Sequence, residues 1–202
     1  MRKIFFDFDG TILDSRRRLY TLFQELVPQS NLSFEQYWEL KRSKVRHEEI
    51  LSRFFPDMDF SVFNEAWMSK IESPDMLRLD FPYPETLSVL QQLKPRNELY
   101  IVTARQLKQS AVEQISQLNL ISYFVDILVT GGGINKKSLI NQLETTPRDF
   151  MIGDTGHDIK TGQSCGLKTV GITHGFMSRN SLLPYHPDYL IDNLTELLEI
   201  LR

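Results

Sequence analysis

Residues 3–11 read KIFFDFDGT, a short apolar run that ends in two aspartates and a glycine. An apolar run without polar alternation is typical of a strand buried on both faces, as the strands of parallel sheets are. Asp7 and Asp9 follow this strand directly. If they continue its pleat, both side chains point to the same side of the backbone, so two carboxylates crowd one place.

Further apolar runs along the chain each predict a strand, and segments with helical spacing separate them. The predicted strands lie at 99–102, 125–129, 150–152, 169–172 and 189–191, and the predicted helices at 86–93, 106–118, 138–143, 159–165 and 194–201. This alternation predicts an α/β fold with a Rossmann-like parallel sheet that carries helices on both faces. Ligands of such sheets bind beyond the carboxyl ends of the strands.

One long segment, residues 16–79, interrupts the alternation of strands and helices. It contains no convincing strand and is rich in aromatic residues at helical spacing. We therefore predict an α/β core formed by residues 1–15 and 80–202, and an inserted α-helical domain at 16–79.

The composition excludes several classes of protein. The chain has 202 residues, of which 41% are hydrophobic and 24% charged, with a formal net charge of -3. These values are ordinary for a globular protein, and the slight negative charge gives no general attraction for nucleic acid or anionic membrane. No apolar run approaches the roughly 18 residues of a membrane span, and the single cysteine fits a reducing compartment. We expect a cytoplasmic protein without a nucleic-acid or membrane partner; the oligomeric state stays open.

A second acidic motif follows a later strand. The stretch GDTGHD adds Asp154 and Asp158 directly after the strand predicted at 150–152. Together with Asp7 and Asp9, four acids then converge on one edge of the sheet. Such a cluster calls for a hard divalent cation, and Mg²⁺ suits an all-oxygen site that must also hold a phosphate.

Cationic and hydrogen-bonding groups are needed to bring an anionic substrate to such a cluster. Thr103 follows another core strand and supplies a hydroxyl group, and Lys136 and Lys137 open the helix after a glycine-rich loop. A lysine ammonium can neutralise both the carboxylates and the oxygens of a transferring phosphoryl group. The set therefore predicts phosphoryl transfer through a nucleophilic aspartate.

The ordered motifs resemble those of the haloacid dehalogenase superfamily, in its magnesium-dependent phosphatase branch, the phosphoglycolate phosphatase-like proteins with a helical C1 cap. Residues 7–11 match the first motif, Thr103 the second, Lys137 the third, and Asp154 with Asp158 the fourth. The resemblance covers nearly the whole chain. It implies the α/β core described above and identifies the helical insertion as a cap.

The resemblance also implies a role for each acid. Asp7 would attack the phosphorus atom, and Asp9 would protonate the leaving oxygen and then activate water. Asp7, the main-chain carbonyl of Asp9 and Asp154 would hold Mg²⁺. Asp158 would support these groups without binding the ion, by orienting the lysine or a metal-bound water.

Thr103 and a lysine would hold the phosphoryl oxygens. Two lysines are adjacent, and neighbours on a helix point about 100° apart, so one of them reaches the site. We favour Lys137 over Lys136, because it stands before a small residue and two apolar ones, as the family's lysine usually does. Ala104 and Arg105 stand where the family often has an asparagine, and Glu85 stands where it often has glycine. The first departure could alter contacts to the leaving group, and we expect neither to touch the core chemistry.

The basic residues of the insertion are weaker candidates. Residues 41–46 read KRSKVR, and His47 follows them. Arg42, Lys44 and His47 could hold a charged part of the substrate under the cap, whereas a solvated helix face is the simpler interpretation.

The sequence thus predicts Mg²⁺-dependent hydrolysis of a small phosphorylated metabolite, a phosphate monoester, through a phosphoaspartyl intermediate. Two alternatives stay open. A phosphomutase of the same architecture would return the phosphoryl group to a sugar, and a non-catalytic member would bind a phosphorylated ligand without turnover.

Overall fold

The computed structural model describes residues 1–202 and divides them into two compact units. The first unit combines Met1–Asp14 with Pro82–Arg202, and the second is Ser15–Phe81. The insertion predicted at 16–79 lies inside the second unit.

The first unit is built on a parallel sheet. The strands of the chain are β1 (Arg2–Phe6), β2 (Leu13–Asp14), β3 (Phe81–Pro82), β4 (Asn97–Thr103), β5 (Asp126–Val129), β6 (Phe150–Gly153), β7 (Lys168–Ile172) and β8 (Tyr189–Ile191). Six of them form one sheet in the order β5-β4-β1-β6-β7-β8, and all neighbouring strands in it are parallel. The short strands β2 and β3 pair where the chain passes between the units. The predicted α/β class is confirmed.

Helices account for most of the remaining chain. They are α1 (Arg16–Leu26), α2 (Phe34–Arg42), α3 (His47–Phe54), α4 (Phe60–Lys70), α5 (Pro74–Leu77), α6 (Thr86–Leu93), α7 (Lys108–Gln117), α8 (Lys136–Ile140), α9 (Gly156–Ser164), α10 (Arg179–Leu182) and α11 (Leu197–Ile200). Helices α1–α5 belong to the second unit and α6–α11 to the first. None of them is both long and apolar enough to cross a bilayer.

Strand β1 has apolar side chains on both of its faces. Ile4 and Phe6 pack into a cluster with residues of α6, α7 and α11, whereas Phe5 packs into a second cluster with residues of α8. All three side chains are fully buried. This burial on both faces explains why the run at residues 3–6 lacks polar alternation.

The position of β1 in the sheet determines where the loops meet. It lies between β4 and β6, and Phe6 is level with Ile101 on one side and Ile152 on the other. The chain order runs outward from β1 in both directions, so a crevice opens beyond the carboxyl ends of these three strands. The acidic motifs begin at this edge.

The second unit has an aromatic core. The ring of Phe23 lies 4.8 Å from that of Tyr37, and the imidazole of His47 lies 4.2 Å from the ring of Trp67. His47 Nε2 is 2.9 Å from the hydroxyl oxygen of Tyr37. Burial, with a smaller contribution from the charge of Lys41, lowers the pKa of His47 to about 3. His47 is therefore uncharged at neutral pH.

His47 makes the stability of the protein sensitive to acid. Its folded-state pKa of about 3 lies below the ordinary value of 6.5, so between these values the unfolded chain binds a proton that the folded chain does not. The contribution of His47 to the free energy of unfolding therefore falls as the pH is lowered from 6.5, by at most about 1.4 kcal/mol per pH unit. We expect His47→Gln to remove that part of the slope in denaturant unfolding. Parallel pH profiles of the variant and the wild type would contradict this.

Candidate active site

The acidic motifs meet beyond three neighbouring strands. Asp7 follows β1, Asp154 follows β6, and Thr103 is the last residue of β4. The Asp7 amide donates a hydrogen bond of 2.8 Å to the carbonyl oxygen of Ile152, so the backbone at Asp7 is fixed against β6. The predicted convergence on one sheet edge is therefore present in the structure.

Three carboxylates form a buried cluster. Asp7, Asp154 and Asp158 each offer an oxygen atom, and these atoms lie within 4.8 Å of one another. Asp154 is fully buried, and the others are nearly so. The backbone passes close to Asp154 at Gly10 and Gly175, where a Cβ atom would collide with the carboxylate. Both positions thus exclude a side chain.

Lys136 is the cation of this cluster. Its Nζ donates hydrogen bonds to Asp7 Oδ1 at 2.5 Å and to Asp158 Oδ1 at 2.7 Å. The preference for Lys137 is wrong, because the side chain of Lys137 is exposed. Helix α8 begins at Lys136, and the side chain of Asn135 caps it by accepting from Ser138 N at 2.8 Å. That start fixes which of the two neighbouring lysines points to the acids.

Neighbouring loops hold the other two carboxylates in place. Asp154 accepts hydrogen bonds from Thr11 Oγ1 at 3.2 Å and from the amide of Phe176 at 2.5 Å. Asp158 Oδ2 accepts from the hydroxyl and the amide of Thr155, at 2.5 and 3.1 Å, in the capping box of α9. The contacts of Thr11 and Phe176 were not predicted, since they depend on how two loops meet.

The side chain of Asp9 has a different partner. Arg105 Nε donates to Asp9 Oδ2 at 2.7 Å, and Arg105 Nη2 donates to Asp9 Oδ1 at 2.8 Å. Arg105, in a departure from the family pattern that we expected to leave the core chemistry untouched, thus binds Asp9, the predicted acid and base. Strand β4 ends at Thr103, so Arg105 lies in the loop next to the one that carries Asp9. Four acids that lie close together need more than one cation to balance their charge. The number of acids is therefore the sequence signal that could have identified Arg105.

Two carboxylates of the cluster have raised pKa values. Burial raises the pKa of Asp7 to about 7, although Lys136 acts in the opposite direction. Burial and the charges of Asp7 and Asp158 raise the pKa of Asp154 as well. Burial alone would lower the pKa of Lys136, but the two carboxylates that it binds raise it, so this lysine stays protonated.

The other predicted residues lie as follows. Thr103 is buried, and its hydroxyl oxygen accepts from the amide of Arg105 at 3.4 Å. Arg42 is the last residue of α2, Lys44 is exposed with φ 67°, and His47 lies in the aromatic core of the second unit. Because His47 is uncharged, Arg42 and Lys44 are the charged candidates for substrate binding. Their role stays a prediction.

The two lysines give a matched pair of stability variants. Lys136→Met leaves buried carboxylates without their cation, which we expect to lower the free energy of unfolding by about 3 to 5 kcal/mol. Lys137→Met removes an exposed charge and should change it by less than about 0.5 kcal/mol. Denaturant unfolding measures the free energy of both variants. It is done with a chelator, because a bound metal ion would mask the difference between them. Equal effects of the two substitutions would contradict the assignment.

Named relatives cover the whole chain. Phosphoglycolate phosphatase from Aquifex aeolicus (strain VF5) is 27% identical over 217 residues, which cover 100% of this chain and 97% of the relative. Pyrophosphatase PpaX from Bacillus mycoides (strain KBAB4) is 25% identical, over 98% of this chain and 95% of the relative. Both relatives are thus named for the removal of a phosphate group.

Solved structures share the fold. A haloacid dehalogenase-like family hydrolase from Streptococcus pneumoniae superposes with a TM-score of 0.80 at 22% identity, covering 100% of this chain and 99% of the other. A hydrolase of the same superfamily from Geobacter sulfurreducens PCA gives a TM-score of 0.71 at 19% identity, with 100% and 97% coverage. The family model described as haloacid dehalogenase-like hydrolase matches residues 4–172, a range that includes every carboxylate and lysine of the cluster. The chain therefore belongs to the haloacid dehalogenase-like hydrolase family.

Proposed function

We propose that this chain is a Mg²⁺-dependent phosphatase that hydrolyses a phosphate monoester of a small metabolite, with Asp7 as the nucleophile. The observation that carries the proposal is the buried Asp7 carboxylate, which is bound by Lys136 and crowded by two further carboxylates at the edge of the sheet. The relatives named phosphoglycolate phosphatase and pyrophosphatase support a small phosphorylated substrate. A cytoplasmic location remains part of the proposal.

The donor set fits a magnesium ion. The oxygen atoms of three buried carboxylates lie within 4.8 Å of one another, and Mg²⁺ prefers oxygen ligands. The site has a formal charge of -2, which one divalent cation would balance. This charge is the sum over four aspartates, Asp7, Asp9, Asp154 and Asp158, and two cations, Lys136 and Arg105. When bound by Asp7, the main-chain carbonyl of Asp9 and Asp154, the ion would neutralise this charge and draw the phosphoryl oxygens toward the nucleophile.

The first chemical step forms a bond between Asp7 and phosphorus. Lys136 binds Oδ1 of Asp7, which leaves Oδ2 as the attacking atom. As this bond forms, the bond from phosphorus to the leaving oxygen breaks, and its electron pair goes to that oxygen. Asp9, which must take up a proton before this step, gives that proton to the leaving oxygen, while Lys136 and the Thr103 hydroxyl bind the phosphoryl oxygens.

The second step hydrolyses the phosphoaspartate. Asp9, now a carboxylate, accepts a proton from a water molecule that attacks phosphorus. The bond between phosphorus and Asp7 Oδ2 breaks, phosphate leaves, and the Asp7 carboxylate is restored. Asp158 acts through its hydrogen bond to Lys136, which keeps the ammonium directed at the reacting group.

The helical unit is proposed to act as the cap that the family resemblance implies. Arg42 and Lys44 would supply positive charge to the part of the substrate that is not transferred. Substitution of either residue should then raise KM for substrates whose non-transferred part is anionic, while leaving KM for phenyl phosphate unchanged, because its phenyl group carries no charge.

Metal binding can be measured without turnover. We expect Mg²⁺ to raise the melting temperature of the wild type, since a ligand at ten times its Kd adds about 1.4 kcal/mol to the free energy of unfolding. Asp154→Asn should abolish this shift. Asp192→Asn is the matched control, because Asp192 forms an exposed pair with Arg179 and should leave the shift intact. Equal shifts in all three proteins would contradict the metal site.

Activity is tested by phosphate release from a panel of phosphorylated metabolites, with Mg²⁺ and with chelator. We expect magnesium-dependent release from a narrow group of monoesters and none from Asp7→Asn, which keeps the shape of the side chain but removes the nucleophile. Circular dichroism shows whether that variant is folded. Full activity of Asp7→Asn, or transfer of the phosphoryl group to a second hydroxyl instead of water, would contradict the proposal.

A further inference from the structure

Arg105 and Asp9 form a two-bond ion pair that the motifs of the chain do not explain. The bonds run from Nε and Nη2 to the two carboxylate oxygens, at 2.7 and 2.8 Å. The side chain of Arg105 is 3% exposed, whereas that of Asp9 is 21% exposed. The arginine is therefore buried, whereas the carboxylate that it binds is partly accessible to solvent.

Several contacts hold Arg105 in place. Its guanidinium lies 5.3 Å from the centre of the Phe8 ring, within the range of a cation–π interaction. Its carbonyl oxygen accepts from Gly131 N at 3.2 Å, and its amide donates to Thr103 Oγ1 at 3.4 Å. The loops after β1, β4 and β5 are therefore linked at this one residue.

We propose that Arg105 is a positioning residue that fixes the orientation of the Asp9 carboxylate for proton transfer to the leaving group. This inference rests on the proposed function. An aspartate side chain rotates about two bonds, and a planar fork with two donors restricts both rotations at once. Each carboxylate oxygen has two lone pairs, and the fork uses one on each, so a lone pair stays available for the transferred proton.

A positioning role through Asp9 has a distinctive consequence. The proton from Asp9 goes to the oxygen that receives the electron pair of the breaking bond to phosphorus. A basic leaving group needs that proton, whereas an acidic leaving group departs without it. Loss of Arg105 must therefore harm substrates in proportion to the basicity of their leaving groups, which a general loss of structure would not do.

The experiment measures kcat/KM, which reports the steps up to formation of the phosphoaspartate, for a series of substituted phenyl phosphates, from p-nitrophenyl to p-methoxyphenyl, in saturating Mg²⁺. We expect Arg105→Gln to lower kcat/KM by less than about 3-fold for the most acidic phenol and by about 10-fold or more for the least acidic, within the range of general acid catalysis. Arg105→Lys keeps the charge but not the fork, so it should show the same trend with a smaller loss.

Two further variants complete the design. Asp9→Asn should show the steep dependence of kcat/KM on the leaving group by itself, and adding Arg105→Gln to it should lower kcat/KM no further. Arg179→Gln is the matched control, because it breaks an exposed arginine–aspartate pair in the same unit and should leave the series unchanged. Arg105→Lys keeps the test valid if Arg105→Gln fails to fold.

The outcomes separate this inference from the proposed function. If the wild type releases phosphate with Mg²⁺ neither from the phenyl phosphates nor from the metabolite panel, the proposed function fails; if it hydrolyses metabolites alone, the same comparison is made among their esters. If the wild type is active and Arg105→Gln loses the same factor on every substrate, or loses nothing, the positioning role alone is overturned. A further loss on adding Arg105→Gln to Asp9→Asn would also overturn it.

Discussion

Three carboxylates lie buried at one edge of a parallel sheet, where the ammonium group of Lys136 binds two of them, and much of the first unit is arranged to permit this. Burying like charges is costly unless they are paired and hydrogen-bonded. The strands provide fixed backbone positions, the loops provide hydroxyl and amide donors, and glycines at positions 10 and 175 make room for Asp154. Burial raises the pKa of Asp7 to about 7, against the opposing charge of Lys136.

The sheet and the place of the site could be predicted because strand ends are marked in the sequence. An apolar run that ends in an acid gives both the strand and the direction of its carboxyl end. Parallel pairing of Phe6 with Ile152 then brings Asp7 next to the acid that follows β6. The expectation of a hard divalent cation follows from residue types alone, whereas its ligand set is implied by the family resemblance, and both stay predictions.

The cations of the site could not be predicted to the same precision. The choice between Lys136 and Lys137 depends on the residue at which α8 begins, and the cap at Asn135 sets that start. Arg105 has a long side chain, and the conformation of the surrounding loops determines which residue it binds. His47 looked like a charged surface residue, but its aromatic neighbours bury it and lower its pKa to about 3. In each case the packing of one side chain, which sequence spacing does not specify, determined the outcome.

The central claim is that Asp7 becomes phosphorylated during turnover, and the most direct test is to locate the phosphoryl group. Asp9→Asn keeps the nucleophile and should slow hydrolysis of the intermediate, so it is mixed with substrate and Mg²⁺, quenched in acid and digested with pepsin at acid pH. Mass spectrometry with fragmentation should find the added phosphoryl group on Asp7. A phosphoryl group on another residue, or phosphate release with Asp7 unmodified in both this variant and the rapidly quenched wild type, would contradict the account.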